Sequence, residues 1–598
     1  MVFTYGPGAI VDLRTPKGSS VSGIMRSLDN WQATAGKAYG GKQAQKLILE
    51  RLKKIINDRY NFDIIEFRWP PVELLFKDDE FEQPFLESIR LPTWLTCPRC
   101  NTLKKARKWK TPFGDHPDRE CQRCQTPVVP TRFIIACDNG HIDDFDYLWW
   151  LENRGTGGSE KGCKTKQTSS GEIIYHPELK LNQGGSLSLA SMSVECKICK
   201  RKASMAGIFE KDLNLKCFGN KEWAEVAGED CYLHATVQQR SSRSIYFPMH
   251  ESALDIPPYN DLPNVLGSYW RPIHNAVTAD AGEEIEGRNY LRDYIVPQIE
   301  DINDDLQTDF TAEQLINDIN DHYQNVDMAD KNPRVDEFKR LNDRSYDRQS
   351  YPDILMHFEN VPEKFERQIE NLVRVLRLRE IRALIGFSRK KSNNKLNNLW
   401  KNSQKWLPAI ETNGEGIFFS FRQEFMEELK LKYSEERLSS GMIQDWYRRT
   451  ENADPFVTRG PTRDVSVGLE FIFLHTLSHI IMRQLSLDSG YSTPSLHERI
   501  FCGDDMNGIL IYTASVDSEG TLGGLSRIGK SENFEKLLTH ALAEADFCSS
   551  DPLCSAGDMS VSEPLNGASC YCCSILPETC CDHFNLLLDR TLLKHMKI

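Results

Sequence analysis

Cys97-Pro-Arg-Cys100 and Cys121-Gln-Arg-Cys124, separated by twenty residues, decide how the N-terminal part of this chain folds. In each pair the two-residue gap lets one tight turn present two sulfurs to the same ion. Two such turns supply the four soft ligands that a tetrahedral zinc ion takes. The spacing predicts a four-thiolate zinc ribbon, a device that holds a fold together first and offers a surface second. The alternatives for such sulfurs are an iron–sulfur site or reduced bystanders.

Working outward from the ribbon, the chain has 598 residues, 40% of them hydrophobic and 27% charged, the balance of a soluble globular protein long enough for several domains. No apolar run reaches the roughly 18 residues that a membrane span needs. The opening Met1-Val-Phe-Thr-Tyr-Gly-Pro-Gly has no basic segment followed by an apolar one, so it does not read as a signal peptide. The expectation is a cytoplasmic protein whose 18 cysteines serve metals rather than disulfides. A net charge of −13 argues against a basic footprint over the whole protein and leaves nucleic acid only local patches.

The pattern predicts an α+β multidomain chain. Residues 1–92 read as a small mixed region, and residues 93–255, with ten cysteines, as zinc-ribbon-like modules. Residues 256–460 lack cysteine and read as a mainly helical middle, and residues 461–598 as a mixed α/β, cysteine-rich zinc-binding domain. Within the last, Val467–Leu487 reads as a long apolar helix, Gly508–Ala514 as a strand, and the stretch around Phe534–Ala545 as a second helix after a glycine-rich loop.

A second zinc site is expected from Cys196-Lys-Ile-Cys199 closed by Cys217 and Cys231. Between the clusters, Cys137-Asp-Asn-Gly-His141 reads as a turn capped by His141 rather than as a third site with Cys163. At the C-terminus seven thiols, Cys548, Cys554, Cys570, Cys572, Cys573, Cys580 and Cys581, lie within 34 residues. Cys570 and Cys573 have knuckle spacing, with Cys554 and either Cys581 or Cys548 completing one zinc site. With every ligand position filled by protein, such zinc is structural and holds no activated water.

Two patterns suggest catalysis and fail on context. Gly524-Leu-Ser-Arg-Ile-Gly529-Lys530-Ser531 matches the phosphate-cradling G-x-x-x-x-G-K-[ST] loop. Only 67 residues follow it, too few for a nucleotide domain with its second, Asp-bearing strand. His475-Thr-Leu-Ser-His479 has the spacing of a zinc protease helix, but Thr476 stands where the general base belongs, so two buried, hydrogen-bonded histidines are the better reading. Two basic stretches are candidates for DNA: Lys104, Lys105, Arg107, Lys108 and Lys110 around Trp109, and Arg374, Arg377, Arg389, Lys390 and Lys391 on an amphipathic segment, Asn371–Lys391. For both, a solvated or intramolecularly paired face is the alternative.

In combination these features resemble a known family. Arg90-Leu-Pro-Thr-Trp-Leu-Thr-Cys97, Val129-Pro-Thr-Arg-Phe-Ile-Ile-Ala-Cys137, Gln239-Arg-Ser-Ser-Arg-Ser-Ile-Tyr-Phe-Pro248 and Leu378-Arg-Glu-Ile-Arg-Ala-Leu-Ile-Gly-Phe387 resemble the DrmB family of the DISARM anti-phage system. Ile511-Tyr-Thr-Ala-Ser-Val-Asp-Ser-Glu-Gly-Thr-Leu-Gly-Gly-Leu525, Cys548-Ser-Ser-Asp-Pro-Leu-Cys554 and Gly567-Ala-Ser-Cys570-Tyr-Cys-Cys573, running into Cys581, resemble the cysteine-rich C-terminal domain of MrfA-like helicases. The resemblance implies a subunit without a motor of its own, working beside a DrmA-like superfamily 2 helicase with which it engages DNA. It also maps the tail ligands onto Cys548, Cys554, Cys570 or Cys573, and Cys581, and leaves Cys572 and Cys580 as extras. The rival is a stand-alone hydrolase, acting on nucleotides through Gly529 and Lys530 or through a metal at His475 and His479.

Overall fold

The structure, a computed structural model, describes residues 4–14, 19–31, 46–47, 49–70, 87–111, 118–158, 164–167, 173–175, 178–185, 188–242, 245–256, 266–270, 272–273, 286–306, 310–319, 332–348, 354–389, 396–433, 440–445, 448, 467–503, 505–513, 523–558, 565–577, 580–583 and 585–596. The chain is α+β and divides into two compact units, each built from discontinuous stretches.

The first unit comprises Met1–Gln45, Trp69–His250 and Leu384–Gln404. A six-stranded sheet runs Lys202–Ser204, Ser193–Cys196, Leu179–Asn182, Thr102–Lys105, Trp94–Thr96, Val129–Pro130, with antiparallel neighbours. A four-stranded sheet runs Ile142–Asp144, Phe133–Ala136, His234–Gln239, Leu215–Lys216. Cysteine-bearing turns join Trp94–Thr96 to Thr102–Lys105, Phe133–Ala136 to Ile142–Asp144 and Ser193–Cys196 to Lys202–Ser204. The turns hang on an aromatic core of Phe133, Phe145, Tyr147 and Trp150, with Phe145 and Tyr147 edge to face at 4.9 Å. Asp146 starts the helix Tyr147–Arg154 by accepting from the amides of Leu148 and Trp149 at 2.9 and 3.1 Å.

The second unit comprises Lys46–Arg68, Glu251–Ala383 and Lys405–Ile598. Its long strands Ile369–Ser388 (as far as Ala383), Trp406–Phe421, Met506–Thr513 and Leu496–Gly503 pair antiparallel in that order. Ile354–Glu359 adds to the first of them, and Glu66–Arg68 pairs parallel with Trp406–Pro408. The helix Leu469–Ser489 lies against this sheet. Its residues 471–482 are buried all round, with Phe471, Ile472, Phe473, Leu474 and Leu477 wholly so, while Arg483 and Leu487 in the last turns are exposed. Gly490 ends it with φ 74, a left-handed turn that glycine adopts without strain. Phe421 meets Phe473 at 5.6 Å and Phe419 meets Phe534 of the helix Ser531–Glu544 at 5.2 Å, which ties both helices to the sheet.

The middle region carries helices, Glu286–Leu306 and Pro333–Asn342 among them, together with long strands. The amphipathic segment Asn371–Lys391, placed by sequence in a mainly helical middle, is strand through Ser388. Val373, Val375, Ile381 and Ile385 are β-branched and favour the pleat. The pairing register shifts between Val375 and Leu378, where this strand carries one extra residue. The arginines at 374, 377, 379 and 382 are spaced by three, two and three, which breaks strict alternation and imitates a helix face. Among the described residues no helix is long and apolar enough to cross a membrane.

Candidate metal centres

Three clusters of sulfurs converge without any disulfide among the described residues. The first is the predicted ribbon. Each knuckle closes with a backbone hydrogen bond, from Asn101 N–H to Cys97 O at 2.9 Å and from Gln125 N–H to Cys121 O at 2.8 Å. Each turn is finished by a residue at positive φ, 59 at Asn101 and 50 at Gln125. Cys97, Cys100, Cys121 and Cys124 then place their sulfurs within 4.8 Å of one another. The Cys100–Cys121 separation of 3.7 Å is close to the edge of about 3.8 Å expected for a tetrahedron of sulfurs around zinc, and far from the about 2.05 Å of a disulfide. Burial pushes the Cys100 thiol up, but hydrogen bonds from Thr102, Cys97 and Cys124 outweigh it and hold it down to about 6.

The second cluster differs from the sequence expectation. Cys217 and Cys231 meet Cys137 and His141 rather than Cys196 and Cys199. The strands Phe133–Ala136 and Ile142–Asp144 form a hairpin whose turn is Cys137-Asp-Asn-Gly-His141. Gly140 sits there at φ 88, and a Cβ on it would fall 1.9 Å from Asn397 Oδ1, so only glycine serves. The turn that was read as capped by His141 instead aims the ring: Nδ1 lies 3.4 Å from both the Cys137 and Cys217 sulfurs, and Cys231 Sγ is 3.9 Å from Cys137 Sγ. The opposite ring nitrogen, Nε2, is 3.0 Å from Glu229 Oε2, which Lys221 anchors at 2.8 Å. A carboxylate behind a ligating imidazole fixes its tautomer and raises its basicity. Glu229→Gln is therefore expected to weaken zinc at this centre about 10–100-fold, read by competition with a chromogenic chelator, with the ribbon unaffected. Cys196-Lys-Ile-Cys199 forms a knuckle of the ribbon type, with Lys200 at φ 64 and its amide on Cys196 O at 2.9 Å. Among the described residues it joins no set of converging ligands; Cys163 lies outside them.

The third cluster unites Cys548, Cys554, Cys570 and Cys573, with Cys548–Cys570 at 3.4 Å, Cys554–Cys573 at 3.7 Å and Cys570–Cys573 at 3.8 Å. Both members of the knuckle take part, so Cys581, proposed above as a ligand here, is displaced from this centre. Cys572 is exposed, and Cys580 donates its S–H to Thr493 O at 3.1 Å. Amides at 3.4 Å, from Ser550 to Cys548 Sγ and from Cys572 to Cys570 Sγ, stabilise thiolate charge. Although burial pushes the Cys570 thiol up, the Cys572 amide and the Cys548 and Cys554 side chains hold it at about 7.

The phosphate-loop match has no cradle to offer. The amides of Leu525 and Ser526 donate at 2.9 and 3.0 Å to Glu415, a buried carboxylate also held by the Tyr491 hydroxyl at 2.8 Å. The chain's own anion occupies the place a phosphate would need.

The basic candidates separate. Arg107, Lys108 and Lys110 are exposed, while Lys104 and Lys105 are half-buried. Trp109 is buried under Lys104, whose ammonium lies 5.2 Å from its ring, and is closed to base stacking. Arg374 pairs with Glu359 at 2.7 Å, and Arg377 is half-buried. Arg389 is 1% exposed and donates to the carbonyls of Gly8 and Gly140 at 2.7 and 3.2 Å. Arg374 and Arg389 are thereby committed inside the protein rather than to phosphates; Lys390 and Lys391 lie outside the described residues.

Known proteins resemble both ends of the chain and most of its length. Residues 1–247 match a domain of unknown function, DUF8724, and residues 477–574 match the MrfA Zn-binding domain. The DISARM protein DrmB of Bacillus paralicheniformis (strain ATCC 9945a / NCIMB 11709 / CD-2) is 31% identical over 490 residues, covering 79% of this chain and 82% of its own. A crystal structure of the DUF1998 helicase MrfA bound to DNA aligns over 37% of this chain and 22% of that one, at 11% identity and a TM-score of 0.19. The matched zinc-binding domain and the cysteine clusters together identify the cofactor as zinc.

Proposed function

Because this chain belongs to the DISARM DrmB family, we propose that it is a non-catalytic, zinc-built subunit of a phage-restriction complex, acting in the cytoplasm beside a DrmA-like superfamily 2 helicase and helping it engage DNA. The observation that carries this reading is the 31% identity to a DISARM protein over 82% of that protein's length. We assign zinc to Cys97, Cys100, Cys121 and Cys124; to Cys137, His141, Cys217 and Cys231; and to Cys548, Cys554, Cys570 and Cys573. Each set fills all four positions of a tetrahedral ion, which favours scaffolding over hydrolysis. The engagement of Leu525 and Ser526 by Glu415 speaks against nucleotide chemistry in this subunit.

Direct DNA contact would fall to Arg107, Lys108 and Lys110 on the ribbon loop, the members of the candidate set that are exposed among the described residues. Fluorescence anisotropy with labelled duplex, for the helicase alone and with this chain added, tests the reading. Addition should tighten binding. Replacing Arg107, Lys108 and Lys110 together by alanine should weaken that gain and flatten the slope of log Kobs against log salt by about 2–3. No gain on adding the wild-type chain would contradict the reading.

A further inference from the structure

The helix Leu469–Ser489 carries His475 and His479 one turn apart, facing a strand and a tail loop that each bring one further donor: Glu498 from Leu496–Gly503 and Cys581 from the C-terminal segment. We propose that these four side chains bind a further zinc ion, in a closed structural site that clamps helix, strand and tail together within the second unit. By sequence the two histidines read as hydrogen-bonded core residues; Glu498 and Cys581 converge on them only in the fold.

Geometry is the first argument. The four donor atoms lie within 4.8 Å of one another. His475 Nε2 is 3.1 Å from Glu498 Oε1 and 3.2 Å from Cys581 Sγ, and His479 Nε2 is 3.4 Å from the same carboxylate oxygen. Bonds of about 2.0–2.3 Å to nitrogen, oxygen and sulfur give tetrahedron edges of about 3.3–3.8 Å, so an ion at the centre requires little movement.

Hydrogen bonding is the second. His479 Nδ1 faces the carbonyl of Ser574 at 2.8 Å, which makes Nδ1 the protonated nitrogen and leaves a lone pair on Nε2. That lone pair points at a carboxylate. His479 Nε2 and Glu498 Oε1 are both buried and have no hydrogen-bond partner among the described residues. Two acceptors facing one another in a dry interior repel unless a cation lies between them. Outer contacts match those of the cysteine centres. Ser478 Oγ hydrogen-bonds the other oxygen of Glu498, and the amides of His583 and Asn585 reach Cys581 Sγ at 3.3 and 3.4 Å, as amides do at Cys217, Cys548 and Cys570.

Charge and access complete the case. Two neutral imidazoles, a carboxylate and a thiolate exactly cancel a divalent cation, the condition under which so buried a set is tolerated. Exposures of 0% for His475 and His479, 1% for Glu498 and 4% for Cys581 leave no room for a substrate or an activated water. Mixed nitrogen, oxygen and sulfur donors suit zinc, an ion of borderline softness. The same closure removes the metal-hydrolase alternative for this histidine pair.

The test compares zinc per chain, by plasma mass spectrometry after anaerobic purification, in the wild type, Cys581→Ala and Cys572→Ser. Cys581→Ala should lose one zinc per chain and Cys572→Ser none. Unchanged zinc in folded Cys581→Ala would overturn the proposal in favour of a metal-free pair of a protonated histidine with Glu498. If Cys581→Ala does not fold, zinc-edge X-ray absorption on the wild type decides. Imidazole scattering from three histidines per chain, His141, His475 and His479, supports the site, and scattering from one overturns it. Because the readout is a difference or an imidazole count, it does not depend on the DISARM assignment.

Discussion

Cys570→Ser should strip the C-terminal centre of its zinc and unfold the region around it. Residues 548–558 and 565–577 contain turns but no helix or strand. The local cluster of buried apolar groups consists of Cys548, Cys554, Cys570 and Cys573 themselves. Leu565 and Leu576 tie the ends of the second stretch to the main core of the unit, so the ion is what holds residues 548–558 to residues 565–577 through the four sulfurs. A structural zinc contributes about 10–16 kcal/mol at neutral pH. That is as large as the roughly 5–15 kcal/mol by which a whole domain is stable. The expected result is one zinc fewer per chain, together with new protease cleavage between residues 545 and 596. Cys572→Ser, at the exposed neighbouring sulfur, should change neither. Full zinc and full protease resistance in Cys570→Ser would contradict the ligand assignment. Falling pH should mimic the mutation, since each thiol must lose its proton to bind and protons compete with the ion.

Arg499→Met should cost about 3–5 kcal/mol, the loss expected when one partner of a buried ion pair is removed and the other is left uncompensated. Arg499 is 1% exposed and donates to both carboxylate oxygens of Glu337 at 2.5 and 2.7 Å, to Glu380 at 3.3 Å and to Ser252 O at 3.1 Å. Its guanidinium thus serves two carboxylates buried in the same unit. Urea melts at pH 7 measure the loss. A concerted replacement of Arg499, Glu337 and Glu380 by apolar residues of similar volume should recover much of it, because the penalty lies in the orphaned charges. The same network sets an acid dependence. Burial pushes the Glu380 carboxyl up, but Arg382 and then Arg499 outweigh it and hold it below the usual value. A depressed carboxyl contributes stability that is present above its unfolded pKa, about 4.3, and is lost as pH falls through the folded value. In Arg499→Met that support weakens, so acid unfolding should begin at higher pH than in the wild type.

Legibility followed sequence distance. The ribbon was readable because each knuckle is local: two residues between sulfurs, one turn, one positive-φ residue after it. The second centre was not, because His141 meets Cys217 across 76 residues and Cys137 meets Cys231 across 94, through strands that pair out of chain order. Cys196 and Cys199 misled for the opposite reason, since knuckle spacing reports a turn and not its partners. The weak signal that would have found His141 is the Asn-Gly turn itself, which presents residue 141 beside residue 137. In the tail, knuckle spacing located Cys570 and Cys573, but nothing local distinguishes Cys548 from Cys581. The long apolar helix, the strand before the glycine-rich loop and the following helix were legible from periodicity to within a few residues. The strand Ile369–Ser388 was not, because its arginines at 374, 377, 379 and 382 are spaced by three, two and three and so do not alternate as on a regular strand. Arg389 shows a further limit of reading charge as surface: it spends its hydrogen bonds on backbone carbonyls inside the first unit.

The proposed role is that of a helicase-associated subunit rather than a stand-alone enzyme. Size-exclusion chromatography of the zinc-loaded chain mixed with a DrmA-like superfamily 2 helicase, with and without duplex DNA, tests that role. Co-elution at the mass of a complex is the expected result. Separate elution under both conditions, accompanied by ATP hydrolysis or DNA cleavage by the isolated chain, would contradict it.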